Sequence, residues 1–73
     1  MYYNERIQYI RDSKNLTQKE VAEFLGIKQQ QYARYEKGIN EIPLHHMKNL
    51  CICFNVSADF LLGLPEGMNY PKI

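Results

Sequence analysis

The apolar positions of this chain recur at helical spacing almost throughout, and no stretch alternates for long with the two-residue period of a strand. Tyr3, Ile7 and Ile10 form a three- and four-spaced stripe that predicts a first helix from about Asn4 to Ser13, ended by the turn former Asn15. Thr17-Gln18-Lys19-Glu20 then reads as a capping box, in which Thr17 accepts from the Glu20 amide and Glu20 reaches back to the Thr17 amide. Leu16 and Val21 are placed for a hydrophobic staple across that cap, Val21, Ala22 and Leu25 point inward, and Gly26 stops the second helix in a left-handed conformation.

A third helix is expected from about Gln29 to Lys37, stopping at Gly38, with Tyr32 and Tyr35 inward and Ile27 plugging the turn before it. Ile39 to Ile42 reads as a loop. Pro43 suits the first position of a fourth helix, whose stripe is Leu44, Met47, Leu50, Cys51 and Phe54. Asn55 ends that helix, Ser57 caps a short fifth with Asp59 in its first turn, and Gly63-Leu64-Pro65 closes it. Helices this short do not persist alone, so they must dock into an all-α bundle of five helices. Residues 1–64 make one domain, and residues 65–73 form an aperiodic tail, either a flexible end or an arm that packs on something.

The hairpin of the second and third helices is more specific than its length implies. Counting from Gln18, Val21, Ala22, Leu25, Gly26, Ile27, Tyr32 and Tyr35 fall fourth, fifth, eighth, ninth, tenth, fifteenth and eighteenth. Ala22 lets the two helices cross closely, Gly26 takes the positive φ of a sharp turn, and the others bury the inner face. Seven such positions met together mark a helix-turn-helix over about residues 18–37.

With that register in place, the sequence resembles the phage repressor and Cro-like helix-turn-helix proteins, the XRE family. The resemblance covers about Glu5 to Leu64. It is carried by Leu16-Thr17-Gln18-Lys19-Glu20-Val21-Ala22, Gly26-Ile27-Lys28-Gln29-Gln30-Gln31-Tyr32, Arg34-Tyr35-Glu36-Lys37-Gly38 and Asn55-Val56-Ser57-Ala58-Asp59-Phe60-Leu61-Leu62-Gly63. It implies the lambda-repressor-like five-helix fold, and it implies that Gln29 to Lys37 lies in the major groove of double-stranded DNA, with Gln18 near the backbone. The inward positions 32 and 35 leave Gln29, Gln30, Ala33 and Arg34 outside or near the helix's entry end. Glutamine pairs bidentately with adenine and arginine with guanine, while a small Ala33 permits close approach to a thymine methyl. Lys28 and Lys37 are expected at phosphates, with Gln18, Gln31 and Asn40 beside them. The family often pairs an arginine of its first helix with the glutamate before the closing glycine, which here implies a structural pair of Arg11 and Glu36.

Two departures temper that picture. The loop after the third helix often carries basic phosphate ligands in this family, whereas here it reads Ile39-Asn40-Glu41, and Glu41 repels a phosphate. Lys28 stands where Ser or Thr commonly caps the third helix. Both point to modest affinity for a single copy, because phosphate neutralisation supplies most non-specific binding. A homodimer through the fifth helix and tail (Phe60, Leu64, Met68, Tyr70, Ile73) would compensate by seating two copies on palindromic half-sites about 34 Å apart.

Composition changes this little. Net charge is only +1, with Lys28, Arg34 and Lys37 against Glu36 in the segment that matters. No apolar run approaches the ~20 residues of a membrane span, and the first residues lack a signal-peptide core, so a cytoplasmic protein is expected. Cys51 and Cys53 are too awkwardly spaced on a helix for a bridge, and read as reduced thiols; neither a metal nor a cofactor is expected. His45 and His46 diverge by about 100° on a helix and read as a solvated face. No catalytic constellation is visible, so an enzyme is not expected. The rival to a DNA-binding regulator is a protein-interaction module on the same fold, such as an antitoxin-like partner. Among regulators a repressor is the expectation, because so short a chain shows no extra surface for recruiting polymerase.

Overall fold

The computed structural model describes residues 2–65. Among them are five helices and no strand: α1 (Tyr3–Ser13), α2 (Gln18–Leu25), α3 (Gln29–Glu36), α4 (Leu44–Phe54) and α5 (Ala58–Leu62). No helix among these is long and apolar enough to cross a membrane. The core gathers one or more side chains from every helix: Ile7 and Ile10 of α1, Val21, Ala22 and Leu25 of α2, Tyr32 and Tyr35 of α3, Leu50 and Phe54 of α4, and Leu61 of α5. Leu16, Ile27, Ile42 and Val56 pack on that core from the connections. With so few buried groups per helix, no single helix is stable without the others.

The capping box at the start of α2 is complete. Thr17 Oγ1 accepts from the Glu20 amide at 3.0 Å, and Glu20 Oε1 accepts from the Thr17 amide at 3.0 Å. Ser57 caps α5 likewise, accepting from the Phe60 amide at 3.2 Å. Each of the five helices exits through a left-handed residue, in order Asn15, Gly26, Gly38, Asn55 and Gly63. The amide of the next residue then returns to a carbonyl one turn back: Leu16 to Arg11, Ile27 to Ala22, Ile39 to Arg34, Val56 to Cys51 and Leu64 to Asp59. These are Schellman closures, which satisfy carbonyls that the last turn would otherwise orphan. At Gly26 an added Cβ would meet no atom within 4 Å, so the demand for glycine there is its φ of +73°, not space.

The fourth helix corrects three sequence expectations. Pro43 is the residue before the helix, with extended ψ of 151°, and not its first helical residue. Leu44 is not part of the buried stripe but 87% exposed. The reason is the row actually buried: His46, Leu50 and Phe54 are spaced by four, and the row's next member backward is the half-buried Ile42. That same row overturns the reading of His46 as solvated. It is 9% exposed, its ring lies 6.2 Å from that of Tyr35 in α3, and the His45 ring lies 4.1 Å away despite the angular divergence of adjacent positions.

Burial, and after it His45, holds the His46 imidazole below its ordinary value of 6.5. The unfolded chain therefore binds a proton that the folded chain disfavours. The stability contributed by neutral His46 is complete above pH 6.5 and is lost as pH falls below it. In urea unfolding followed against pH, His46→Gln is expected to erase this step and to leave the more acidic loss set by carboxylates.

Candidate nucleic-acid interface

The placement of α3 is set by what holds its inner face. Glu36, only 4% exposed, receives Arg11 Nε at 2.6 Å and Arg11 Nη2 at 3.1 Å, a two-pronged contact between α1 and α3. The third arm of Arg11, Nη1, donates to the Leu16 carbonyl at 2.8 Å, so the guanidinium also fixes the turn into α2. Gln18 Nε2 donates to Glu36 Oε1 at 2.9 Å, and Asn4 Nδ2 donates to the Glu36 main-chain carbonyl at 3.1 Å. One buried carboxylate thus ties α1, α2 and α3 together. Burial alone would raise the Glu36 carboxyl, but the hydrogen bonds led by Arg11 outweigh it and hold the group below its ordinary range. Tyr32 lies fully buried in the same region, and its hydroxyl has no hydrogen-bond partner among the described residues. Burial first, and Glu36 second, push its phenol far up, so it stays neutral.

The opposite face of α3 is bare. Gln29, Gln30 and Arg34 are exposed, and Ala33 between them is half-buried. No carboxylate engages Arg34 among the described residues. Gln31 is exposed too, but its Nε2 donates to the Tyr35 hydroxyl at 3.1 Å, so one of its amide hydrogens is committed within the helix. Lys28 precedes the helix, exposed and without a side-chain cap, which leaves the first-turn amides of α3 without a side-chain acceptor. Lys37 and Asn40 are exposed at the far end, and the Asn40 amide approaches the Arg34 carbonyl at 3.5 Å. Gln18 is half-buried at the first position of α2; its bond to Glu36 leaves one amide N–H and the carbonyl for another partner. The structure therefore brings Gln29, Gln30, Ala33 and Arg34 onto one helix, with Lys28 and Lys37 at its two ends and Gln18 alongside.

Three contacts that hold the bundle together, two of them on α3, carry no local sequence signal. Asn4 and Gln18 reach Glu36 across 32 and 18 residues of chain. Arg6 donates from Nε to the Phe60 carbonyl at 3.1 Å and lies over the Phe60 ring at 5.2 Å, clamping α5 to α1. Phe60 remains exposed beyond that clamp, together with Leu62 and Leu64, whereas Met68, Tyr70 and Ile73 lie outside the described residues. Cys51 and Cys53 are free and half-buried, and burial pushes both thiols up, away from thiolate chemistry.

Comparison with known proteins gives this arrangement its context. A helix-turn-helix family model matches residues 7–61, from within α1 to within α5. The chain is 42% identical over 77 residues to YonR, an SPbeta prophage-derived HTH-type transcriptional regulator of Bacillus subtilis (strain 168), covering 96% of this chain and 71% of that protein. It is 32% identical over 71 residues to the HTH-type regulator YobD of the same organism, covering 97% of this chain and 62% of YobD. It is also 34% identical over 66 residues to the HTH-type transcriptional activator BcrR of Enterococcus faecalis, covering 90% of this chain but 32% of BcrR. On the match to three-quarters of its length and on these relatives, the chain belongs to the phage repressor and Cro-like helix-turn-helix family of DNA-binding transcriptional regulators.

Proposed function

We propose that the chain binds a palindromic operator in the cytoplasm as a homodimer, with α3 of each copy in the major groove. The observation that carries this reading is the contrast between the two faces of α3. Its inner face is locked by Arg11, Gln18 and Asn4, while its outer face presents the exposed side chains of Gln29, Gln30 and Arg34, with no carboxylate on Arg34 among the described residues. Gln29 and Gln30 take adenine edges, Arg34 takes a guanine edge, and Ala33 lies close enough for a thymine methyl. Lys28, Lys37, Gln18, Gln31 and Asn40 serve the phosphates and set register without reading sequence. Exposed Phe60, Leu62 and Leu64 supply apolar area for a second copy. Repression needs nothing beyond occupancy, since a protein seated in the groove excludes others from it. One relative is named as an activator, and a reporter whose promoter overlaps the selected site decides the sign for this chain.

Salt separates DNA binding from a purely apolar protein contact. Affinity for duplex is expected to fall log-linearly with salt, at a slope near −0.9 per phosphate contacted. Lys28→Ala should weaken binding to all sequences about equally and reduce that slope by roughly one. A response to salt that is flat, with binding retained, would instead assign this surface to a protein partner.

A further inference from the structure

The five helix exits are built alike, yet two of them, at Ile39 and Leu64, leave the apolar residue exposed. In a Schellman closure the residue after the left-handed position is commonly apolar and lies against the side chain one turn back. Here those residues are Leu16, Ile27, Ile39, Val56 and Leu64. Leu16, Ile27 and Val56 pack on the core. Ile39 does not; it is 62% exposed, the most exposed of the five. Its position is nonetheless firmly set. The Ile39 amide donates to the Arg34 carbonyl at 3.0 Å, the Asn40 amide approaches the same oxygen at 3.5 Å, and the Gly38 amide donates to the Tyr35 carbonyl at 3.1 Å. The residue one turn back from Ile39 in this closure is therefore Arg34, on the bare face of α3. Between Gly38 and Pro43 the chain has no cation and carries Glu41, so this segment offers a duplex the exposed apolar side chain of Ile39 and no positive charge.

We infer that Ile39 is a further specificity-determining residue, meeting the C5-methyl group of a thymine beside the base pair that Arg34 reads. The inference rests on the proposed seating of α3 in the major groove, where the thymine methyl is the one apolar feature of the base edges. A rigid closure suits that role, because Ile39 arrives in a fixed relation to Arg34 and loses little freedom on binding.

The test uses the full chain and the duplex selected by it, with each thymine replaced in turn by uracil, which removes the methyl and nothing else. One replacement, next to the guanine on which Arg34→Ala acts, is expected to weaken the unmodified protein about threefold to fivefold, the scale of one buried methyl group. Ile39→Ala should bind the thymine and uracil forms equally, with an unchanged thermal melt by circular dichroism. If Ile39→Ala shows the same uracil pattern as the unmodified protein, the inference is overturned. If instead Ile39→Ala weakens self-association and leaves the uracil pattern intact, Ile39 belongs to a protein interface and the inference fails likewise. A chain with no sequence preference at all would overturn the seating of α3 itself, a result distinct from either.

Discussion

Replacing Arg11 by alanine is expected to destabilise the fold by about 3–5 kcal/mol, because it leaves the buried Glu36 carboxylate without its charge partner. The guanidinium makes three hydrogen bonds, two to Glu36 and one to the Leu16 carbonyl, so the loss reaches α1, α3 and the turn into α2 together. Against the 5–15 kcal/mol typical of whole domains, that is a large fraction of the total. The effect has a signature in pH. In the unmodified chain Glu36 is held below its ordinary 4.5, so its contribution is complete above that value and is lost as pH falls through the folded value. In Arg11→Ala burial loses its main opponent and only weaker contacts such as the Gln18 bond remain, so the carboxyl rises and the deficit shrinks on acidification. Replacing both partners, Arg11→Met with Glu36→Leu, should recover much of the stability, since an apolar pair leaves no buried charge. Urea unfolding of the unmodified chain and the two variants across pH checks each statement.

Arg34→Ala should do the reverse: leave stability near that of the unmodified chain and damage recognition. Arg34 is exposed and holds no carboxylate among the described residues, so its removal opens no cavity and strands no partner. A bidentate arginine–guanine contact discriminates by about 1–3 kcal/mol, roughly a fivefold to hundredfold preference at one base pair. The variant is expected to lose that preference at that pair alone while keeping its choices elsewhere. A uniform loss across all sequences would make Arg34 a phosphate ligand instead. Fluorescence anisotropy with duplexes changed one pair at a time distinguishes the two outcomes.

The pair of experiments separates the two jobs of α3, and the sequence was unequally informative about them. Local chemistry was readable where a few adjacent residues decide the outcome. Thr17 and Glu20 make a cap because they are three apart, and Gly26 turns because only its φ is at stake. The bare edge of Gln29, Gln30 and Arg34 followed from the inward spacing of Tyr32 and Tyr35. Contacts between distant residues were not readable in that way. Nothing near Gln18 announces that its amide reaches Glu36, and nothing near Arg6 announces the Phe60 carbonyl. The joining of Arg11 to Glu36 came from family resemblance, since periodicity assigns no partner to a charge. In α4 two apolar rows were possible, through Leu44 or through Ile42, and only docking against α2 and α5 selects the second. His46 is buried by that choice, although its residue type and its neighbour His45 both favour a solvated face.

Selection from a random duplex pool, run in parallel for the unmodified chain, Gln30→Ala and Arg34→Ala, tests the reading of α3 most directly. The unmodified chain is predicted to enrich one palindrome with half-sites about 34 Å apart, each holding adenine and guanine at adjacent or nearly adjacent positions. Gln30→Ala should relax an adenine and Arg34→Ala a guanine, each in both half-sites. Enrichment of the same sequence by all three chains, or of none by the unmodified chain, would contradict it.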